Sequence, residues 1–97
     1  MRIALFGKRF DESFRDPMRN LLNVLDRNGV YLVVYKPFLD FLEHSCRIGL
    51  RGCDTFESPL AAGSVDAVLS IGGDGTFLET VTYVRDSAIP ILGINSG

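Results

Sequence analysis

The chain has 97 residues, a net charge of −2 and 46% hydrophobic residues, which predicts one small folded domain and excludes a disordered tail. The sequence contains no basic run or stripe, so neither a nucleic-acid-binding surface nor an anionic-membrane surface is expected. No apolar run approaches the roughly 20 residues that cross a bilayer, and the N-terminus lacks the apolar core of a signal peptide. We therefore expect a cytoplasmic protein.

The first quarter of the chain predicts a strand followed by a helix. Residues 2–7 are a short apolar run that ends at a glycine, typical of a buried strand, and residues 8–15 are predicted to form a loop. Asp16 and Pro17 then predict a helix start, with Asp16 as the N-cap and the proline at the first helical position. Apolar residues at helical spacing continue as far as Gly29, which is typical of a helix end.

The middle of the chain predicts a second strand and a second helix. Residues 30–35 are β-branched and aromatic, as in a buried strand. A Lys-Pro pair follows and predicts a helix, with Phe38, Leu42 and Cys46 on one face. Residues 47–58 show no clear period, and we predict a loop or a short helical turn for them.

Three potential soft metal ligands, His44, Cys46 and Cys53, lie close together in the sequence. Their spacing does not match a Cys-x-x-Cys pair, and a fourth soft ligand is lacking. We therefore predict reduced, structural thiols, with a metal site or a disulfide as the less favoured alternative, and we assign no residue as a metal ligand.

The last third of the chain predicts two more strands. Residues 67–71 form an apolar run that ends in the glycine-rich segment 72–75, apolar residues between positions 77 and 84 mark a third helix, and residues 90–94 form the fourth strand. The order βαβαβαβ, with continuous rather than alternating apolar strands, predicts an α/β fold with a parallel sheet and helices on both faces. Right-handed crossovers would bring all strand carboxyl ends to one edge, where ligands bind at the point where strand order reverses.

The segment Ser70-Ile-Gly-Gly-Asp-Gly-Thr-Phe-Leu-Glu79 is the chemically informative part of the sequence. It is not a P-loop, and Leu78 stands where the dinucleotide fingerprint requires glycine. Its glycines allow the backbone to approach a ligand, and the amides of the following helix suit a phosphate. A carboxylate beside phosphate is repulsive unless it binds a metal ion or accepts a proton from an attacking hydroxyl. Asp74 therefore points to phosphoryl transfer to an alcohol.

The alternative for this segment is a tight turn in which Asp74 merely caps the helix. Thr76 and Glu79 match a capping box, in which each side chain bonds the other residue's amide. We predict that Thr76 caps the helix in this way, which would leave Asp74 outside the helix and free to face a substrate.

Two motifs resemble the NAD kinase family: Gly72-Gly-Asp-Gly-Thr-Phe-Leu78 after a buried strand, and Leu92-Gly-Ile-Asn-Ser-Gly97 one helix and one strand later. Gly-Gly-Asp-Gly alone is shared with diacylglycerol and sphingosine kinases and with phosphofructokinases, whereas the Thr-Phe-Leu continuation and the Gly-Ile-Asn-x-Gly strand end favour NAD kinase. The family often has Leu where Ser96 stands. The resemblance implies a Rossmann-like, three-layer α/β fold.

The resemblance also implies a reaction. Asp74 would accept the proton of the 2′-hydroxyl on the adenosine ribose of NAD, and that oxygen would attack the terminal phosphoryl group of ATP or polyphosphate to give NADP. Mg²⁺ or another divalent ion would neutralise the phosphates. Six neighbouring residues would shape the two nucleotide pockets: Gly75, Thr76 and Phe77 on the NAD side, and Gly72, Gly73 and Asn95 on the phosphate side.

In the NAD kinase family a second, mostly β domain follows the domain that this chain resembles. Residues 1–97 would thus be the N-terminal α/β nucleotide-binding domain, without the C-terminal β-rich domain, and we expect a fragment that is inactive alone. Its partners would be small-molecule nucleotides, and the complete protein would be a homo-oligomer. Two alternatives stay open: a diacylglycerol-type lipid kinase domain, and a non-catalytic α/β nucleotide-binding module.

Overall fold

The computed structural model describes residues 1–96. Five strands are present in this part of the chain: β1 (Arg2–Gly7), β2 (Tyr31–Tyr35), β3 (Asp54–Phe56), β4 (Ala67–Gly72) and β5 (Ile91–Asn95). They form one sheet in the order β3-β2-β1-β4-β5, and every neighbouring pair is parallel. The predicted parallel α/β fold is confirmed, while the last motif residue, Gly97, lies outside the described residues.

Helices connect the strands. They are α1 (Arg15–Arg27), α2 (Lys36–Asp40) and α3 (Asp74–Val84). A 3-10 turn (Glu12–Phe14) leads into α1, and a π-helical turn (Phe41–Ser45) continues α2. Within the described residues, no helix is long and apolar enough to cross a membrane.

The sheet has a hydrophobic cluster on each face. Side chains alternate along a strand, so Ile3 and Leu5 pack with α1 and α2, whereas Ala4 and Phe6 pack on the face that receives Val84 of α3. The predicted three-layer arrangement, with helices on both faces, is confirmed.

The short edge strand β3 is not predicted by the sequence. It lies within residues 47–58, for which a loop or helical turn is predicted, and it pairs Asp54 with Val33 of β2. The sequence of β3 is Asp-Thr-Phe, and its first two residues are exposed. It therefore lacks the apolar run that identifies the buried strands.

The start of α1 also differs from the prediction. The helix begins at Arg15, its N-cap is Phe14, and no side chain caps it. Asp16 is therefore not the N-cap: the 3-10 turn continues directly into the helix and places Asp16 in the first turn, where a negative charge still favours the helix dipole. The predicted end is confirmed, since Gly29 follows the helix with φ +69°.

The order of the strands defines one edge of the sheet as the binding edge. The connection through α1 runs from β1 to β2 on one side, and the connection through α3 runs from β4 to β5 on the other. The order therefore reverses between β1 and β4. The segments that follow Gly7 and Gly72 flank this point, where open parallel sheets bind their ligands.

Candidate functional site

The turn between β4 and α3 requires a glycine at its first position. Gly72 has φ +153°, and a Cβ atom there would lie 2.6 Å from Oγ1 of Thr76. Both the backbone conformation and the close side chain exclude larger residues. The fold alone therefore requires glycine at position 72.

Gly73 and Gly75, in contrast, are not explained by the fold. A Cβ atom at either position would meet no atom within 4 Å, and Gly73 has φ −106°, which any residue adopts. Gly75 is the second residue of α3 and is not among the glycines with a positive φ. The backbone at these two positions therefore borders open space, which suits the close approach of a ligand.

Asp74 lies between these two glycines and is the first residue of α3. Its side chain is exposed and makes no hydrogen bond or ion pair with any other residue in the described range 1–96. The prediction that Asp74 stands outside the helix is wrong. The alternative, in which its side chain caps the helix, is also wrong, because the N-cap is Gly73 and no side chain caps α3. The carboxylate is therefore exposed to solvent beside open backbone.

The predicted capping box of Thr76 and Glu79 does not form. Glu79 instead pairs with Lys8, whose Nζ lies 2.8 Å from Oε1 of the carboxylate. The Thr76 side chain packs against the backbone of Gly72. Thr76 is the third residue of α3 and therefore not its N-cap, and the ion pair links the segment after β1 to α3.

Two buried hydroxyls hold the first turn of α3 on the sheet. Oγ of Ser70 in β4 lies 2.8 Å from Oγ1 of Thr80. The Thr80 hydroxyl in turn donates to the carbonyl oxygen of Thr76 at 2.7 Å. Both side chains are almost fully buried. This relay of two hydroxyls was not predicted from the sequence, although a polar residue in an otherwise apolar strand and another in the apolar part of the next helix are a usable signal. The relay fixes the position of the turn that carries Asp74.

Strand β5 brings the second motif to the same edge. Asn95 is the register partner of Gly72, and the Ser96 amide donates to the Gly72 carbonyl at 3.3 Å. The Phe77 ring lies over Gly93, where a Cβ atom would be 3.1 Å from it. The predicted site residues 72–77 and Asn95 are therefore gathered at one place, although the contact of Phe77 with β5 leaves only part of its ring exposed.

The two cations after β1 are both in contact with other side chains. Lys8 pairs with Glu79, and the Arg9 guanidinium lies 5.3 Å from the ring centroid of Phe41. Arg9 thus lies toward the face of the sheet that carries α1 and α2, away from Asp74.

The glycine-rich turn offers a single carboxylate to a metal ion, that of Asp74. No group of three or more His, Cys, Asp or Glu side chains in the described chain is arranged to hold a metal ion. Mg²⁺ keeps several waters and takes ligands from substrate phosphates, so the divalent ion that the family resemblance implies would arrive with those phosphates. Cys46 and Cys53 are free, and burial raises the pKa of both thiols.

Comparison with known proteins assigns the family. Residues 3–97 match the family described as ATP-NAD kinase N-terminal domain. The chain belongs to this family. It is 38% identical over 98 residues to an NAD kinase of Cytophaga hutchinsonii and 34% identical over 97 residues to one of Bacteroides fragilis. In both comparisons 100% of the chain covers 33% of the relative.

The family membership confirms the resemblance found in the motifs and disfavours a lipid kinase domain. An NAD kinase of Flavobacterium johnsoniae is 34% identical over 98 residues. The chain spans about a third of the length of the curated relatives it matches.

Proposed function

We propose that this chain is the nucleotide-binding part of an enzyme that phosphorylates the 2′-hydroxyl of the adenosine ribose of NAD to give NADP. ATP or polyphosphate would be the donor. The observation that carries the proposal is the exposed, unpaired carboxylate of Asp74 between Gly73 and Gly75, two glycines bordered by open space. Membership of the ATP-NAD kinase family supports the choice of substrate.

In this proposal Asp74 acts as the general base. Its carboxylate accepts the proton of the 2′-hydroxyl while the hydroxyl oxygen forms a bond to the terminal phosphorus. The bond from that phosphorus to its bridging oxygen breaks, and the electron pair leaves with ADP or the shortened polyphosphate. A carboxylate is a weak base, but positioning and charge neutralisation dominate phosphoryl transfer. The buried relay of Ser70 and Thr80 supports this positioning, because it fixes the turn that carries the base.

The backbone at the start of α3 supplies donors for the phosphates. The first helical bond runs from the Phe77 amide to the Gly73 carbonyl at 3.0 Å, so the amides between these residues point out of the helix end. A divalent cation bound to the substrate phosphates would neutralise their charge and leave the Asp74 carboxylate free to accept the proton. The remaining binding residues are assigned by their place around the turn: Gly75, Thr76 and Phe77 toward NAD, and Gly72, Gly73 and Asn95 toward the phosphates.

We also propose that residues 1–97 form the N-terminal domain, as the description of the matching family supports, and that the β-rich domain implied by the resemblance accounts for the greater length of the relatives. Strand β5 is at the edge of the sheet, and Leu92 on it and Leu78 on α3 are 64% and 69% exposed. Exposed apolar side chains of this size support burial against another domain or subunit, consistent with a homo-oligomer.

Two free thiols support a cytoplasmic location.

The proposal is tested by incubating the full-length protein with NAD, ATP and Mg²⁺ and measuring NADP with an NADP-specific dehydrogenase. We expect NADP to accumulate in proportion to the enzyme added. Diacylglycerol with the same donor serves as the control acceptor and should give no phosphorylated product. Formation of a phosphorylated lipid without NADP would contradict the proposal.

A further inference from the structure

A cavity of about 470 Å³ opens on the sheet face that carries α1 and α2. The segment after β1 contributes Phe10, and the first residue of α1 contributes Arg15. The π-helical turn and the residues after it contribute Phe41, Cys46 and Arg47. None of the residues that line the cavity belongs to the glycine-rich turn around Asp74. Its volume is in the range of small-ligand sites.

The cavity carries positive charge that the described residues do not neutralise. Arg15 is half-buried, and its Nε donates to the carbonyl of Cys46 at 2.7 Å. This bond orients the guanidinium and leaves its other donors available. Within residues 1–96, neither Arg15 nor Arg47 forms an ion pair with a carboxylate. The one acid that lines the cavity is Glu12, so the lining has a net positive charge.

The wall of the cavity is aromatic. Phe10 and Phe41 meet edge to face, with 4.9 Å between ring centroids, and both are half-buried. Arg9 lies over the Phe41 ring and adds another cation beside the cavity. An apolar ring surface beside guanidinium groups suits a ligand that is itself part ring and part anion.

The backbone places Arg47 at the rim of the cavity in an uncommon conformation. Arg47 has φ +56°, which is rare for a residue other than glycine, and it follows the π-helical turn, a feature frequent at functional sites. The turn also returns the buried Ile48 to the core, where its amide donates to the Leu42 carbonyl at 2.9 Å. The backbone conformation of Arg47 therefore has a structural reason. The evidence for a ligand is instead the charge of Arg15 and Arg47, which no carboxylate of the described residues pairs with.

We propose that this cavity binds a small ligand made of an aromatic ring joined to an oxyanion. The phosphate or carboxylate group pairs with Arg15 and Arg47, and the ring packs against Phe10 and Phe41. None of the residues that line this cavity has a role in the proposed kinase chemistry.

The test is calorimetric titration of the full-length protein with phenyl phosphate and with benzoate, two probes that contain no nucleoside. We expect one of them to bind at least about tenfold more tightly than inorganic phosphate, because the ring contact adds to the charge contact. The tighter of the two identifies the oxyanion that the site prefers. Affinities of both probes equal to that of inorganic phosphate would overturn the proposal.

Variants locate the site. Arg47→Gln should weaken the preferred probe at least about tenfold, since it removes a charge-assisted bond, and it leaves the bond from Arg15 to Cys46 intact. Arg51→Gln is the matched control, because Arg51 is an exposed arginine of the same segment that does not line this cavity. Equal losses in the two variants, or no loss in Arg47→Gln, would show that the probe binds elsewhere and would overturn the assignment.

Discussion

Asp74→Asn in the full-length protein should lower the kcat for NAD phosphorylation by about 10²–10⁴-fold, the usual contribution of a general base. The amide keeps the size of the side chain but accepts no proton. The Asp74 carboxylate has no hydrogen bond or ion pair with the described residues, so the change should disturb neither the fold nor the glycine-rich turn. We therefore expect the Kd for NAD, measured by titration calorimetry, to change little.

Asp86→Asn provides the matched control. Asp86 is an exposed acid just beyond the other end of α3, so its replacement makes the same change in net charge far from the turn. Its kcat should equal that of the wild type. Near-wild-type kcat in Asp74→Asn would remove Asp74 from the role of base, and an unchanged kcat with weaker NAD binding would make it a binding residue instead.

Gly72→Ala should be the most destabilising single change in the turn. An alanine at φ +153° is strained, which costs about 1–3 kcal/mol. The new methyl group would also lie 2.6 Å from Oγ1 of Thr76, and overpacking of this kind costs about 1–3 kcal/mol more. Urea unfolding followed by circular dichroism measures the loss.

Gly73→Ala is the control for Gly72→Ala. It shows whether the loss of stability is specific to position 72 or follows from adding a methyl group anywhere in the turn. Gly73 has φ −106° and open space around its Cβ position, so its replacement should change the free energy of unfolding by less than about 0.5 kcal/mol. If Gly72→Ala and Gly73→Ala were equally stable, the turn would not have the backbone conformation described for Gly72.

The strands that surround the site were predictable because the sheet is parallel. Both faces of β1 and β4 are covered, so their sequences are continuous apolar runs that end at glycine. Strand β3 was not predicted, because it is an edge strand of only three residues that forms by pairing with β2. Its formation is a property of the assembled sheet and leaves no local pattern.

The position of the site was predictable, but the start of its helix was not. Because β4 and β5 are parallel, their carboxyl ends lie at the same edge of the sheet, which brings Gly72 and Asn95 together. The capping pattern of Thr76 and Glu79 placed the start of α3 too late, since the helix begins at Asp74 and Glu79 pairs with Lys8 from the segment after β1. An ion pair between residues so far apart in the sequence leaves no local pattern, so it was not predictable from the segment around Asp74.

Gly75→Ala in the full-length protein tests most directly whether the open space beside Asp74 is filled by a nucleotide. Alanine is up to about 1 kcal/mol more favourable than glycine in a helix, and no atom of the described chain opposes the new methyl group. The variant should therefore unfold at an equal or higher urea concentration. We predict that its Kd for NAD rises at least about tenfold, because the methyl group occupies space that the ligand needs. An unchanged Kd for NAD in this stable variant would contradict the assignment of the glycine-rich turn as the nucleotide site.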